Sequence, residues 1–373
     1  MLDTEASKLF YQGGMNQIRQ TAPYFFQDKP LFGMDIGRYT LRVMQLELDR
    51  KVPGLKGYGA IEFDAAAIKN GVIVKPELIA KPAVKLFSQE LIGDIATKRV
   101  AIALPASRAL TRAINLPPMS PKDIAEAVKT EIDQYIPTAD ADNFYLDYTL
   151  LHEGAETIEV FAVAIPKQIV DSYLTLTSMM GLEAVSLNTT IGASAKLFAQ
   201  DKQSDIPSVL VDFGSKTTDI TIFNQGIVAT GSVEFGGDDL TDSIAKMLAI
   251  KPHDAIMLKS KYGLSAGRFQ KQIKAAMEPS LELLTKEFRR TIRYYEQRYA
   301  EQTPIGQIVI MGGGANMPGL ADYLTERLRL PARTFYMKDR ITFGRLRQFY
   351  SADNMSFVTV AGLAMTEPAE IFV

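Results

Sequence analysis

The stretch that decides the fold is VLVDFGSKTTDITIF, residues 209–223. It opens with three apolar residues typical of a buried strand, and it closes with a second strand in which apolar residues alternate. Between them, Asp212 and Gly214 stand at a turn that is rich in hydroxyl side chains. Glycine permits the close approach of a ligand, hydroxyl and backbone N–H groups suit phosphate oxygens, and an aspartate at a strand end can hold a hydrated Mg²⁺. The stretch therefore predicts a hairpin that binds a nucleotide triphosphate.

An earlier stretch, LFGMDIGRYTLRVMQLEL at residues 31–48, repeats this pattern. A third strand follows each hairpin and carries the same Glu-Phe pair. The matching positions are Asp35 with Asp212, Gly37 with Gly214, Thr40 with Thr217, and Glu62-Phe63 with Glu234-Phe235. Two such units about half a chain apart predict a duplicated fold. We expect the two hairpins to face each other across a cleft, since clefts between domains are preferred ligand sites.

The bulk composition limits the classes of function. The chain has 373 residues, enough for roughly two or three domains with cores of their own. A net charge of −2 provides no field that favours nucleic acid or an anionic membrane. The absence of cysteine excludes thiol catalysis and disulfides, and two histidines argue against a His-rich metal site or a Ser-His-Asp triad. No apolar run approaches the ~20 residues of a membrane span, and the N-terminus lacks a signal pattern, so we expect a cytoplasmic protein.

Two further glycine turns follow the central hairpin. Gly236-Gly237 precedes a predicted helix, whose N-terminus would be a good anion site; a plain strand-to-helix turn is the alternative. In IVIMGGGANMPGL, residues 308–320, a strand ends in three glycines. The run lacks the lysine of a P-loop, and Met317 stands where a dinucleotide fingerprint needs its third glycine. We interpret it as backbone that lies against a flat ligand such as a purine.

A long helix is predicted at residues 279–300 from its apolar stripe. Glu287 and Arg290 lie on one polar ridge of this helix. They are interpreted either as an ion pair on a solvated face or, given the glycine run that follows, as contacts to a nucleoside.

Residues 75–95 predict a helix whose start is limited by Pro76 and Pro82.

Residues 106–182 predict an inserted α+β module. Ser120 and Pro121 would begin its first helix, which would stop at Pro137. Two strands follow, and a second helix ends at Gly181. The module contains no cluster of catalytic residues. Residues 1–30 predict either a short amphipathic helix or a loosely packed extension.

The order of these motifs resembles that of the actin-like ATPase superfamily, which has two phosphate loops and an adenosine loop. The insert is similar to that of the FtsA and PilM families, and its amino-acid sequence resembles that of the PilM insert more closely. The supporting stretches are VAIALPASRALTRAINLPPM, AVKTEIDQYIP, LDYTLL and VFAVAIPKQIVDSYLTLTSMMGLEAVSL, and KEFRRTIRYYEQR resembles the nucleotide-side helix. The resemblance implies an α/β, duplicated actin-like (ribonuclease H-like) fold, with two lobes around a nucleotide cleft and an FtsA/PilM-type α+β insert.

The resemblance also implies a division of the chain. The expected segments are an N-terminal extension at 1–30, the core of lobe 1 (1A) at 31–105, the inserted subdomain (1C) at 106–182, a return to lobe 1 at 183–205, lobe 2 (2A/2B) at 206–338 and a last return to lobe 1 at 339–373.

The site residues follow from the same resemblance, which implies ATP or ADP held with Mg²⁺. Asp35 and Asp212 would face the metal and its waters. The nucleotide would contact Gly37, Arg38, Thr40, Gly214, Ser215, Lys216, Thr217, Gly236, Gly237, Glu287, Arg290, Gly312, Gly313 and Gly314. The first loop departs from the family pattern, because Arg38 and Tyr39 replace small hydroxyl residues; Arg38 would either pair with a phosphate or block the usual pose. We therefore expect ATP binding with at most weak ATPase activity.

The function that the resemblance implies is an ATP-binding scaffold of the type IV pilus machine. It would bind the cytoplasmic N-terminal peptide of the inner-membrane protein PilN in a groove near the insert, and link PilN to the pilus motor. The resemblance leaves open further contacts with the pilus assembly ATPase and the platform protein, and a homo-oligomer. The protein would lie at the inner face of the cytoplasmic membrane through its partners.

Two alternatives belong to other classes. An FtsA-like division filament would carry a C-terminal amphipathic helix, whereas the tail MTEPAEIFV is short and acidic. A sugar or acetate kinase on the same fold would need a substrate pocket with a base, for which the sequence offers no clear candidate.

Overall fold

The computed structural model describes residues 29–136, 143–265, 267, 269–299, 303–348 and 354–367. The chain divides into two compact units, Met1–Ala193 with Val360–Val373, and Ser194–Thr359. The N-terminal helix or extension that we expect lies outside the described residues, apart from its last two positions.

The described strands form three sheets and one short ribbon. They are β1 (Phe32–Ile36), β2 (Thr40–Glu47), β3 (Gly54–Glu62), β4 (Ile68–Lys69), β5 (Val72–Ile73), β6 (Ile92–Gly93), β7 (Arg99–Leu104), β8 (Leu110–Leu116), β9 (Phe144–Glu153), β10 (Ile158–Pro166), β11 (Glu183–Thr189), β12 (Ser208–Phe213), β13 (Thr218–Phe223), β14 (Ile227–Val233), β15 (Gln307–Met311) and β16 (Ala332–Thr334).

The described α-helices range from short connectors to one helix of 29 residues. They are α1 (Glu77–Lys85), α2 (Pro121–Asp133), α3 (Lys167–Met179), α4 (Thr190–Phe198), α5 (Gly237–Leu248), α6 (Pro252–Tyr262), α7 (Gln270–Arg298), α8 (Leu320–Leu328) and α9 (Val358–Ala364). Among the described residues, no helix is both long and apolar enough to cross a membrane.

The main sheet of the first unit is built outward from its first hairpin. Its strand order is β11–β7–β1–β2–β3–β6, with antiparallel pairs from β1 to β6 and parallel pairs from β1 to β11. Every residue of β1 and β7 is buried, as expected for central strands that are covered on both faces. Their core includes Phe32, Met34 and Ile102, together with Tyr173 and Leu176 of α3.

The middle part of the predicted insert, which is β8, α2, β9 and β10, forms a small α+β layer with a core of its own. The second helix of the predicted insert, α3, packs in the core of the main sheet instead. The sheet of the small layer has the order β8–β10–β9, with antiparallel neighbours. Helix α2 packs Ile124, Val128 and Ile132 against this sheet, at the four-residue spacing of one helix face. Ser120 occupies the N-cap position of α2 as predicted, but its side chain makes no capping hydrogen bond to the helix amides; its hydroxyl donates to Asp123 Oδ2 at 2.7 Å instead. Gly181 follows α3 with a left-handed φ of 68°, as predicted. The stop that we expect at Pro137 lies outside the described residues.

The second unit repeats the first. Its sheet runs β14–β13–β12–β15–β16, with β12, β13 and β14 antiparallel and β15 and β16 parallel to β12. This order matches β3–β2–β1–β7–β11 strand for strand, including direction. The duplication predicted from the two Asp-x-Gly hairpins is therefore confirmed.

The first helix of the first unit is shorter than predicted. We expect a helix through residues 75–95, but α1 ends at Lys85 and one π-helical turn continues to Glu90. Pro82 lies inside α1 rather than limiting its start. A proline at an interior position removes one backbone hydrogen bond of the helix, which accounts for the early change of helix type.

The long helix of the second unit begins earlier than predicted. Helix α7 starts at Gln270 and contains Pro279, so residues 279–300 cover only its second part. Buried Ile273 and Met277 continue the apolar stripe on the N-terminal side of the proline. Packing of that stripe outweighs the break that the proline suggests.

The chain passes between the units inside two helices, α4 and α9. In the first unit, a Cβ on Gly362 of α9 would overlap the carbonyl oxygen of Ala193 of α4. In the second unit, the hydroxyls of Ser194 and Thr359 lie 3.1 Å apart and share a hydrogen bond. The close approach of the two helices therefore depends on small residues.

We expect the Gly362→Ala variant to be less stable than the wild type by about 1–3 kcal/mol, because the new methyl group overlaps the Ala193 carbonyl. Helix propensity alone predicts the opposite sign, a gain of about 1 kcal/mol. Urea denaturation measures the difference. Gly54→Ala is the control, since the nearest atom to its Cβ would lie 3.5 Å away. A stabilised Gly362→Ala variant would contradict the close helix contact.

Candidate nucleotide-binding site

The two predicted phosphate hairpins close with the same backbone hydrogen bond. The N–H of Gly37 donates to the carbonyl of Thr40 at 3.0 Å, and the N–H of Gly214 donates to the carbonyl of Thr217 at 2.9 Å. Each hairpin joins the central strand of its sheet, β1 or β12, to the antiparallel neighbour. The two halves of the predicted site thus have the same local geometry.

In the first unit, Asp35 is buried and lies opposite Arg42 on the neighbouring strand. Arg42 Nη1 is 3.6 Å from Asp35 Oδ2. Burial raises the pKa of Asp35 above its usual value, and the Arg42 charge offsets part of that rise. The sequence reasoning missed Arg42, although the pairing register of the hairpin is the signal that could have found it. Arg42 places a cation beside the first hairpin.

Arg38 and Tyr39 contact each other beside this hairpin. Arg38 Nε donates a hydrogen bond to Tyr39 Oη at 3.1 Å, and the guanidinium lies 5.4 Å from the centre of the Tyr39 ring. The Tyr39 carbonyl accepts a hydrogen bond from Phe63 N–H at 2.9 Å. The two residues that depart from the family pattern therefore form a pair at the surface.

In the second unit, helix α5 fastens the phosphate hairpin. The N–H groups of Gly237 and Asp238 donate to the carbonyls of Gly214 and Ser215 at 2.9 and 2.8 Å. A Cβ on Gly236 would lie 2.5 Å from the Ser215 carbonyl oxygen. The first amides of α5 are thus directed at the loop backbone. Gly236 and Gly237 position the hairpin by close packing, whereas an anion site at this helix N-terminus would need those amides.

Asp239 ties the same helix end to the charged residue of the hairpin. Its Oδ2 accepts a hydrogen bond from Gly236 N–H at 2.9 Å, which is the capping position of a helix. Its Oδ1 lies 3.3 Å from Lys216 Nζ. This ion pair therefore joins the side chain of Lys216 to the start of α5.

Lys259 of α6 lies behind the start of α5 and was missed by the sequence reasoning. Its Nζ donates to the Gly237 carbonyl, and to Thr241 Oγ1 at 2.8 Å. Burial lowers the pKa of Lys259, while the carboxylates of Asp238, Asp242 and Asp239 partly offset this. The only sequence signal is its place in an otherwise polar helix, which does not distinguish it from Lys261.

The glycine run lies directly beside the central hairpin of the second unit. Strand β15 pairs in parallel with β12, and Met311 is opposite Asp212. A Cβ on Gly312, which has a φ of 83°, would overlap Asp212 Oδ1, and a Cβ on Gly314 would overlap the Phe213 ring. Gly313 has no neighbour within 4 Å of such a Cβ. Packing against β12 explains the first and third glycines, and Gly313 alone leaves room for a ligand.

Glu287 and Arg290 form an ion pair of 2.8 Å on α7. The Arg290 side chain is 73% exposed and the Glu287 side chain 27%. Their side chains pair with each other, and the Glu287 backbone carbonyl accepts a hydrogen bond from Thr291 Oγ1 at 3.1 Å. The contact with a nucleoside stays a prediction.

The second unit brings together Asp212, the hairpin at Gly214, the glycines at the start of α5 and the glycine run.

The donor set fits a magnesium ion that is held mainly by water and phosphate. Among the described residues, no group of three or more His, Asp or Glu side chains could hold a metal alone. Mg²⁺ in nucleotide sites commonly uses one or two carboxylates and keeps its other ligands as waters and phosphate oxygens. Asp212 is half-buried at the end of β12 and satisfies that requirement.

Comparison with known proteins identifies the family. Residues 33–367 match the family model described as type IV pilus assembly protein PilM. The chain belongs to the PilM family. The pilus-assembly interpretation therefore prevails over the FtsA and kinase alternatives.

Other proteins are more distantly similar. The cell division protein FtsA of Pseudomonas aeruginosa is 26% identical over 349 residues, which cover 82% of each chain. The structure of a PilM-PilN type IV pilus biogenesis complex has a TM-score of 0.77 at 22% identity, over 90% of this chain and 98% of that chain.

MreB5 of Spiroplasma citri bound to ADP has a TM-score of 0.55 at 13% identity, over 92% of this chain and 98% of that chain. The ethanolamine utilization protein EutJ from Carboxydothermus hydrogenoformans has a TM-score of 0.53 at 14% identity, over 91% of each chain. The predicted actin-like fold is confirmed.

The raised pKa of Asp35 predicts a pH-dependent effect of Asp35→Asn. Between 3.8 and the raised value, the folded chain holds a proton that the unfolded chain has lost. Binding of this proton stabilises the folded chain. The stabilisation is fully present below pH 3.8 and is lost as the pH rises through the pKa of Asp35 in the folded chain. The free energy of unfolding of the Asp35→Asn variant, minus that of the wild type, should therefore increase as the pH rises through this window. The increase should be at most about 1.4 kcal/mol per pH unit.

Denaturation of both proteins from acid to neutral pH measures this difference without nucleotide. Asp94→Asn, which removes an exposed carboxylate, is the control and should show no such gain. A constant difference between Asp35→Asn and the wild type would mean that Asp35 is not shifted by burial.

Proposed function

We propose that this protein is a nucleotide-binding scaffold of the type IV pilus machine, and that ATP or ADP with Mg²⁺ is held by both hairpins. The observation that carries the proposal is the repeated closure of Gly37 on Thr40 and of Gly214 on Thr217. Two loops that share the same backbone geometry can each bind one end of the polyphosphate. The ADP-bound MreB5 structure supports nucleotide binding through the shared fold.

In this proposal each charged residue has a distinct role. Asp212 and Asp35 would hold Mg²⁺ through its water ligands, and the ion would neutralise phosphate charge when bound. The positive charge of Arg42 offsets the negative charge of the buried Asp35 carboxylate. From the same position, the Arg42 guanidinium would also pair with a phosphate oxygen. Lys216 exchanges its Asp239 partner for the phosphates, since a charge-assisted bond to phosphate is stronger than an exposed ion pair. Gly313 lies against the adenosine.

The proposed partner is the cytoplasmic N-terminal peptide of PilN. The similar structure of a PilM-PilN complex supports this partner, and the insert has a hydrophobic core of its own against which a peptide could pack. Binding of this peptide would hold the protein at the inner face of the cytoplasmic membrane. Nucleotide would promote peptide binding if the two bound states share one conformation, because a ligand shifts an equilibrium only by differential affinity.

Asp212→Asn tests the site and the coupling separately. We expect at least about a tenfold loss of Mg-ATP affinity, because the neutral amide is a weaker partner for the hydrated metal, and weaker binding of a PilN N-terminal peptide. Calorimetric titration measures both affinities. Asp205→Asn, in the exposed segment before β12, should change neither.

The outcomes are distinct. If Asp212→Asn leaves the ATP affinity unchanged, the proposed nucleotide site is wrong. If ATP binding is lost while the peptide affinity is unchanged, the proposed coupling between nucleotide and peptide is wrong, but the scaffold function is not contradicted.

Arg38→Ser tests the unusual first loop. We expect ADP affinity to fall several-fold, because the exposed guanidinium can form two hydrogen bonds with a phosphate. Arg38→Lys should recover only part of the loss. Fluorescence titration with a labelled ADP analogue measures the affinities. Tighter binding by Arg38→Ser would show that Arg38 obstructs the nucleotide.

A further inference from the structure

Among the residues that the structure describes, no strand covers one edge of the first unit's main sheet where it meets α1. Strand β6 pairs only with Gly57 and Tyr58 of β3. Beyond Tyr58, no described strand pairs with β3 on this side. Ala60 and Glu62, the last exposed residues of β3, therefore lie on an open strand edge.

The hydrogen-bond pattern shows which backbone groups this edge presents. The Lys56 carbonyl accepts from Asp94 N–H on the β6 side, and Phe63 N–H donates to the Tyr39 carbonyl on the β2 side. Successive residues of a strand direct their backbone groups to opposite edges. Ala60 and Glu62 share the direction of Lys56, so their N–H and C=O groups point to the open side.

Helix α1 forms the other wall of a groove along this edge, with a volume of about 1010 Å³. Ile61, Leu78 and Pro82 supply apolar surface to it. Pro82 has no N–H, so the Leu78 carbonyl loses its usual helical donor. The groove thus offers apolar contact together with backbone hydrogen-bonding groups, which suits an extended chain.

The charges of the groove are unbalanced. Lys85 and Glu90 form an ion pair with each other. The other charged residues in its lining are Glu62, Asp64, Glu77 and Lys81. Among the described residues, Glu62, Glu77 and Lys81 have no ion pair, and three carboxylates therefore face one ammonium group.

We propose that the open edge of β3 and the facing side of α1 form a docking groove for an extended, basic peptide segment of a partner protein. The segment adds a strand to the sheet through Ala60 and Glu62. Its apolar side chains pack on Leu78 and Pro82, and its basic side chains pair with Glu62 and Glu77. The lining of this groove shares no residue with the insert or with the predicted nucleotide contacts, although Glu62 pairs with Thr40 across β2 and β3. The inference therefore goes beyond the proposed function.

The probe is a labelled synthetic peptide of alternating lysine and valine, about eight residues long, titrated into the full chain. We expect saturable binding, with Glu62→Lys weakening it about tenfold through charge reversal. The matched control is Glu153→Lys, which makes the same change on the exposed end of β9 and should bind like the wild type. A glutamate-valine peptide should not bind.

Hydrogen exchange reports the backbone pairing directly. On peptide binding, the amides of Ala60 and Glu62 should exchange more slowly. Ala60→Pro removes one donor, at an edge position where proline is tolerated, and should weaken binding. The proposal is overturned if the peptide does not bind, if Glu153→Lys weakens binding as much as Glu62→Lys, or if binding leaves the Ala60 and Glu62 amides unprotected.

Discussion

One backbone hydrogen bond, from a glycine N–H to the carbonyl of a threonine three residues later, sets the form of both halves of this protein. It closes the hairpin after β1 and the hairpin after β12. Each closure fixes the register of an antiparallel pair, and each pair stands beside a parallel strand that completes the core. The matched sheets and the proposed phosphate contacts all depend on this turn.

The two hairpins reach that form in different electrostatic surroundings. In the first unit, a buried carboxylate with a raised pKa lies beside an arginine. In the second, the amides of α5 hold the loop carbonyls, and Asp239 holds Lys216. The first hairpin therefore holds a buried carboxylate beside a cation, whereas the second hairpin is fastened by a helix. We infer that the second is the more rigid half of the proposed site.

Much of this arrangement could be predicted from local pattern. The Asp-x-Gly repeats, the alternating strands and the capped insert helices all follow from residues close in sequence. Arg42 could have been found from hairpin register, but Lys259 could not, because only tertiary packing brings α6 under α5. The glycine run was placed correctly at a strand end. Its first and third glycines are required by contact with Asp212 and Phe213, which no local pattern reveals.

The most direct test of the central claim is a crystal structure of the full chain with Mg²⁺ and a non-hydrolysable ATP analogue. The account predicts one nucleotide whose phosphates accept hydrogen bonds from the Gly37–Thr40 and Gly214–Thr217 turns together, with Asp212 facing the metal through water. A nucleotide that contacts only one turn, or that binds elsewhere on the chain, would contradict it.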